Sequence, residues 1–139
     1  MAVVAKDETN PTLRLRFRRI DGRFAVCRLA PDAALPDWAL TGVFTSITRT
    51  ADELSVVCPA GNVPAEVKAE VAWVCFRLEG PFPFLQTGVL ASFLDPLAKG
   101  GVPIFAISTY DTDYVLIKED FAGKAVDALR AAGHDLIGS

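Results

Sequence analysis

The sequence predicts an α+β fold: antiparallel sheet with two helices on one face. Three observations carry that expectation. Apolar and polar residues alternate in short runs bounded by turn residues, the period-two signature of half-buried strands. Two longer runs, 86–99 and 119–132, place apolar residues at helical spacing. In the second half these runs follow one another as β-α-β-β-α-β, the ferredoxin-like order.

Residues 1–12 are polar, end in Asn10-Pro11 and read as a loose leader. Residues 13–20 alternate, with Leu13, Leu15 and Phe17 on one face and Arg14, Arg16 and Arg18 on the other. Asp21-Gly22 is a hairpin-turn signal and predicts a second strand over 24–29. Pro31 and Pro36 bound an irregular stretch, and Trp38 to Leu40 forms at most one helical turn. Residues 43–49 and 54–58 read as strands joined by Thr50-Ala51-Asp52-Glu53. Pro64 suits a first helical turn and predicts a short helix over 64–70.

The next strand spans 73–78, and Gly80-Pro81-Phe82-Pro83-Phe84 makes a rigid loop. The helix predicted over 86–99 sets Val89, Leu90, Phe93, Leu94 and Leu97 on one face. Pro96 removes one backbone donor there, and Gly100-Gly101 ends the helix. Residues 104–109 and 114–118 are hairpin strands. Glu119 and Asp120 favour the positive end of a second helix, whose buried face is Phe121, Ala125, Ala128, Leu129 and Ala132. Gly133 stops it, and Leu136 and Ile137 fit a final edge strand.

The first half reads as a reduced copy of the second. Ile47-Thr48 and 54–57 line up with Ile107-Ser108 and 114–117 at an offset of 60, and Arg28-Leu29 lines up with Arg77-Leu78. Strand, break, hairpin and helix recur in the same order, which favours duplication. The expected organisation is a first unit over 13–70, lacking the loop and first helix, and a second over 71–139.

Composition narrows the function. With 139 residues, 51% hydrophobic and 22% charged, the chain can bury one sizeable core. A net charge of −3 gives no general attraction to nucleic acid or anionic lipid, and the arginines from Arg14 to Arg19 read as a solvated strand face. No apolar run approaches the roughly 18 residues of a membrane span. The N-terminus lacks signal-peptide features, so the expected location is the cytoplasm. Cys27, Cys58 and Cys75 are odd in number and sit in apolar runs; they read as small buried hydrophobes. No P-loop, dinucleotide fingerprint or zinc-ligand spacing is present, so neither cofactor nor metal is expected. The one histidine, His134, follows a helix-ending glycine and reads as a surface or C-cap residue.

The chemistry concentrates in 104–118. Ser108, Thr109, Asp111, Thr112 and Asp113, with Tyr110 among them, lie between two apolar strands. Such a run fits a polar-ligand site, and it also fits ordinary turn chemistry. The start of the helix near Thr87-Gly88 offers backbone donors and a positive dipole end to a carboxylate. Gly88 permits close approach, and Asp111 or Asp113 can neutralise an ammonium or basic side chain. Asp111 and Asp113 also fit a general acid–base pair, so a binding module, a small enzyme and a dimerisation module all remain open.

Gly80-Pro81-Phe82, then Thr87-Gly88-Val89-Leu90-Ala91, then Ile107-Ser108-Thr109-Tyr110-Asp111-Thr112-Asp113-Tyr114 resemble the ACT-domain family. The likeness is greatest to the small bacterial tandem-ACT proteins related to CASTOR, the animal cytosolic arginine sensor. It covers residues 13–137. It implies tandem ferredoxin-like units and amino-acid sensing at an interface between units, and a homodimer would make up the number of units; composition alone gives no nucleic-acid or membrane partner. The positions implied to hold the ligand are Gly88 and Val89, and Thr109, Tyr110 and Asp113, with Gln86, Thr87, Ser108 and Asp111 beside them. Gln86 stands where the arginine sensor has an acidic residue. A neutral amide balances a guanidinium less well, so the resemblance leaves the amino acid open.

Overall fold

Alternation of apolar and polar residues makes strands where each strand also finds a neighbour for its backbone groups. In the computed structural model, which describes residues 13–83 and 85–138, these are β1 (Arg16–Leu29), β2 (Ser46–Arg49), β3 (Leu54–Pro59), β4 (Lys68–Leu78), β5 (Phe105–Ser108), β6 (Asp113–Lys118) and β7 (Asp135–Ile137). The helices are α1 (Val89–Lys99) and α2 (Ala122–Ala131). The second half has the expected order β4-α1-β5-β6-α2-β7. The leader expected over 1–12 lies outside the described residues.

One sheet runs β2-β3-β1-β4-β6-β5. Its pairs are antiparallel except at the end of the chain, where β7 lies parallel to β1, with Phe17 opposite Leu136. The final edge strand therefore attaches to the first strand of the opposite half.

Asp21-Gly22 does not make a hairpin. β1 continues through it, because both flanks pair with the same strand: Ile20 faces Cys75 and Phe24 faces Trp73. Residues 21–23 oppose Val74 alone, so the turn chemistry is used as a bulge, with Gly22 at φ 93°. A second irregularity follows on β4, where Ala72 takes φ 68°. The helix expected over 64–70 is also absent. Val67 N–H donates to Pro64 O in a single turn, and from Lys68 the chain extends to fill the open edge of β1. Backbone pairing outweighs the local helix signal there.

The two halves carry matching registers about the pair Phe24–Trp73. Phe24 faces Pro59 and Arg28 faces Ser55; Trp73 faces Lys118 and Arg77 faces Tyr114, an offset of 49 along β1 and β4 and 59 along β3 and β6. The hairpins β2–β3 and β5–β6 also match at 59, with Arg49–Leu54 equivalent to Ser108–Asp113. The expected offset of 60 is one residue too large, because it aligned apolar side chains across turns of equal length.

The helices cover one face of the second half. Val89, Phe93, Leu97, Ala125 and Leu129 pack on Phe17, Val74, Phe76, Val115 and Ile117. Phe17 meets Phe76 and Phe93 edge-on, at centroid distances of 5.4 and 5.2 Å. Burying one such ring contributes about 1.5–3 kcal/mol. In the first half the equivalent residues are smaller, Ala25 for Val74 and Cys27 for Phe76. A loop with a 3-10 turn at Asp37–Ala39 covers them in place of a helix. On the opposite face Phe44 lies over Phe24 and Tyr114, and Thr48 and Ser55 share a cleft with Phe105 and Ile107. The sheet thus curls until its two outer strands face one another.

All three cysteines are free and buried. Burial pushes the Cys75 thiol up to about 12 and Cys58 to about 11. An unfolded thiol releases its proton near 9, so the stabilisation from burying Cys75 is complete below pH 9 and falls as pH rises towards 12. Between pH 9 and 11 the wild type should lose stability faster than Cys75→Ala by up to about 1.4 kcal/mol per pH unit. Urea unfolding of both proteins across that range checks this; parallel slopes would refute it.

Candidate functional site

The turn between β5 and β6 is closed by its own threonines. Thr109 N–H and Thr109 Oγ1 both donate to Thr112 O, at 2.8 and 3.1 Å, and Thr112 N–H donates to Thr109 Oγ1 at 3.3 Å. The Thr112 hydroxyl is buried and donates to Leu78 O at 2.7 Å, tying the turn to the end of β4. The loop leaving β4 then lies against the turn, with Phe82 N–H donating to Asp111 O at 3.1 Å. Glycine at position 80 eases that approach: a Cβ there would sit a tight 3.0 Å from the Asp111 carbonyl oxygen.

The same loop runs into α1. Gly88 takes φ 83° immediately before the helix and supplies no side-chain cap, so the first-turn N–H groups of Val89, Leu90 and Ala91 keep their donor capacity. The hairpin on the other side ends in a polar cross-strand pair, where the Ser108 hydroxyl donates to the Asp113 carboxylate. Between the two lies a cleft of about 630 Å³. It has the positive end of a helix on one wall and a carboxylate with hydroxyls on the other.

Of the residues singled out from sequence, Gln86, Gly88, Val89, Ser108, Thr109, Tyr110, Asp111 and Asp113 line this cleft, and Thr87 does not. Phe82, Pro83, Leu90, Ala91 and Thr112 line it as well. Phe82 and Pro83 belong to the rigid loop legible in the sequence, but nothing local says that this loop folds back onto the hairpin turn. Tyr110 is 82% exposed at the rim, and Leu85, in the loop entering α1, is 90% exposed. Both are large apolar surfaces beside an open polar cleft.

His134 is not at the surface. It is 1% exposed, and its ring bridges two elements: Leu15 N–H donates to Nδ1 at 3.0 Å, and Nε2–H donates to Ser92 O at 2.9 Å. This fixes the neutral ring with its proton on Nε2. Gly133, at φ 96°, turns the chain so that His134 N–H donates to Leu129 O. The histidine thus fastens the first turns of α1, and so one wall of the cleft, to the chain entering β1 and to the end of α2. Among the described residues no group of three or more His, Cys, Asp or Glu is placed to hold a metal ion, and no helix is long and apolar enough to cross a membrane.

The ACT domain family model matches residues 68–131, and the model of an N-terminal domain matches residues 22–66. Subunit 1 of the human cytosolic arginine sensor for mTORC1 is 32% identical over 59 residues, which span 42% of this chain and 18% of that protein. A crystal structure of an Agrobacterium tumefaciens protein is 40% identical with a TM-score of 0.86, covering 90% of this chain and 93% of that one. The regulatory subunit of aspartate kinase from Thermus thermophilus shares the fold at 14% identity and a TM-score of 0.56, covering 81% and 93%.

Removing the imidazole should loosen the cleft wall from behind. His134→Ala strands the buried Leu15 N–H and leaves a cavity. It should cost about 2–5 kcal/mol in denaturant unfolding. A loss below about 0.5 kcal/mol would show that the bridge carries no stability.

Proposed function

Because residues 68–131 match the ACT-domain family model, we propose that the chain is a regulatory protein that binds a free amino acid, or a similar small zwitterion, in the cleft between α1 and the β5–β6 turn. One observation carries the reading. The first-turn donors of α1 and the Ser108–Asp113 pair face the same cleft. A zwitterion has complementary ends: its carboxylate suits the helix start at Gly88 and Val89, and its ammonium suits Asp113, with Thr109 beside it. Tyr110 covers the ligand stem from the rim. A volume of about 630 Å³ lies within the range of small-molecule sites. The arginine sensor to which 59 residues are similar supports the ligand class, and Gln86 leaves the particular amino acid open.

The organisation proposed with this function is a reduced first unit over 13–70 and a complete second unit over 71–139, supported by the matching registers of the two halves. Regulation rather than turnover is the favoured role, supported by the ACT-domain match over 68–131 and the similarity to an arginine sensor. The exposed Leu85 and Tyr110 favour a homodimer whose interface adjoins the cleft.

A thermal-shift screen of the twenty amino acids identifies the ligand, since binding to the native state raises the melting temperature. Asp113→Ala should weaken its binding ten- to a hundredfold, the effect of about 1.5–3 kcal/mol for a charge-assisted hydrogen bond. Calorimetry on both proteins checks this. Equal affinities would remove Asp113 from the site, and no heat from any amino acid would favour a pure dimerisation module. Light scattering at micromolar concentration should give twice the chain mass of 14.9 kDa; the monomer mass would refute the dimer.

A further inference from the structure

The first half of the chain repeats the turn that walls the cleft. Thr50 N–H donates to Glu53 O at 2.9 Å, and Thr50 Oγ1 accepts from Glu53 N–H at 3.1 Å, as Thr109 does with Thr112. Arg49 precedes this turn as Ser108 precedes the other, and the two hold the same register position. In the second half the short Ser108 side chain leaves the cleft open towards the loop leaving β4. In the first half Arg49 crosses the corresponding gap.

Its guanidinium donates from Nη1 to Pro31 O and from Nη2 to Ala33 O, the latter at 2.8 Å, in the loop leaving β1. Both acceptors are neutral carbonyls in a segment already shaped without the arginine. Ala33 N–H donates to Ala30 O at 3.0 Å, and Pro31 fixes its own φ. Arg28 holds the facing turn by donating from Nη2 to Asp52 O at 2.9 Å. Two carbonyls that each accept from a different terminal nitrogen suit a planar fork and not a point charge.

We propose that the Pro31 and Ala33 carbonyls form a guanidinium-binding site, which the chain fills with its own Arg49. The first half then carries a resident side chain where the second half presents an open cleft. The site is independent of what the second cleft binds.

The test removes the side chain and returns its head group. Arg49→Ser installs the residue that holds the equivalent position in the second half. It should lower the melting temperature by about 3–6 °C, the scale of a net hydrogen-bond loss in a chain of this size. Methylguanidinium at about 10–50 mM should restore at least half of that loss and saturate, a range set by a weak site of two neutral carbonyls. Methylammonium at equal ionic strength should not, and the wild type should respond to neither. An unchanged melting temperature in Arg49→Ser, or an equal response of variant and wild type to methylguanidinium, would overturn the proposal. If Arg49→Ser does not fold, Arg49→Lys takes its place. It keeps the charge but cannot span both carbonyls, and it must show the same rescue for the proposal to stand.

Discussion

The antiparallel pairing of β1 with β4 is the constraint on which the molecule depends. The two strands meet at Phe24 and Trp73, and from that pair each half of the sheet grows outward: β3 and β2 from β1, β6 and β5 from β4. Backbone donors and acceptors must be satisfied wherever they are buried. β1 therefore pairs with β4 along one edge and with β7 and then β3 along the other, while β4 holds β1 and β6 on its two edges. The bulge at residues 21–23 falls where the outer edge of β1 passes from β7 to β3, and the left-handed Ala72 lies where β4 extends past the end of β6.

The cleft is a consequence of how the two halves are covered. Over β4 and β6, large side chains such as Phe76 demand a thick layer, and α1 and α2 provide it. A helix laid on the sheet must begin somewhere, and α1 begins beside the β5–β6 turn, bringing unsatisfied amide donors against hydroxyls and a carboxylate. Over β1 and β3, Ala25 and Cys27 leave room only for a loop. Among the described residues that half has no α-helix start to supply comparable donors, and Arg49 lies along its loop.

Much of the second half was legible in the sequence because its signals agree. The apolar spacing of Val89, Phe93 and Leu97, the glycines after Lys99 and the alternation of 113–118 all point to the elements that form. The polar residues of the cleft stood out because so many donors and acceptors crowd a turn that needs few. What the sequence hid was long-range. Asp21-Gly22 has the local chemistry of a hairpin, and only the presence of β4 along both flanks makes it a bulge. Pro64 opens a turn that helix propensity would extend, and the edge of β1 claims the following residues instead. His134 looks like a helix-ending surface residue until the fold brings Leu15 and Ser92 to its two nitrogens. No local pattern encodes a partner 119 residues away.

The parallel pairing of β7 with β1 has a kinetic meaning. Arg16 lies opposite Asp135, so the sheet is completed by closing a loop that holds most of the described chain. Loop closure of that length must precede the contacts that reward it, which slows folding relative to a chain of local hairpins. During synthesis β1 emerges well before β7, and its outer edge near Phe17 waits for residues 135–137. Until those residues leave the ribosome the nascent protein presents an uncovered strand with an aromatic side chain beside it. That interval is when a holding chaperone has most to protect.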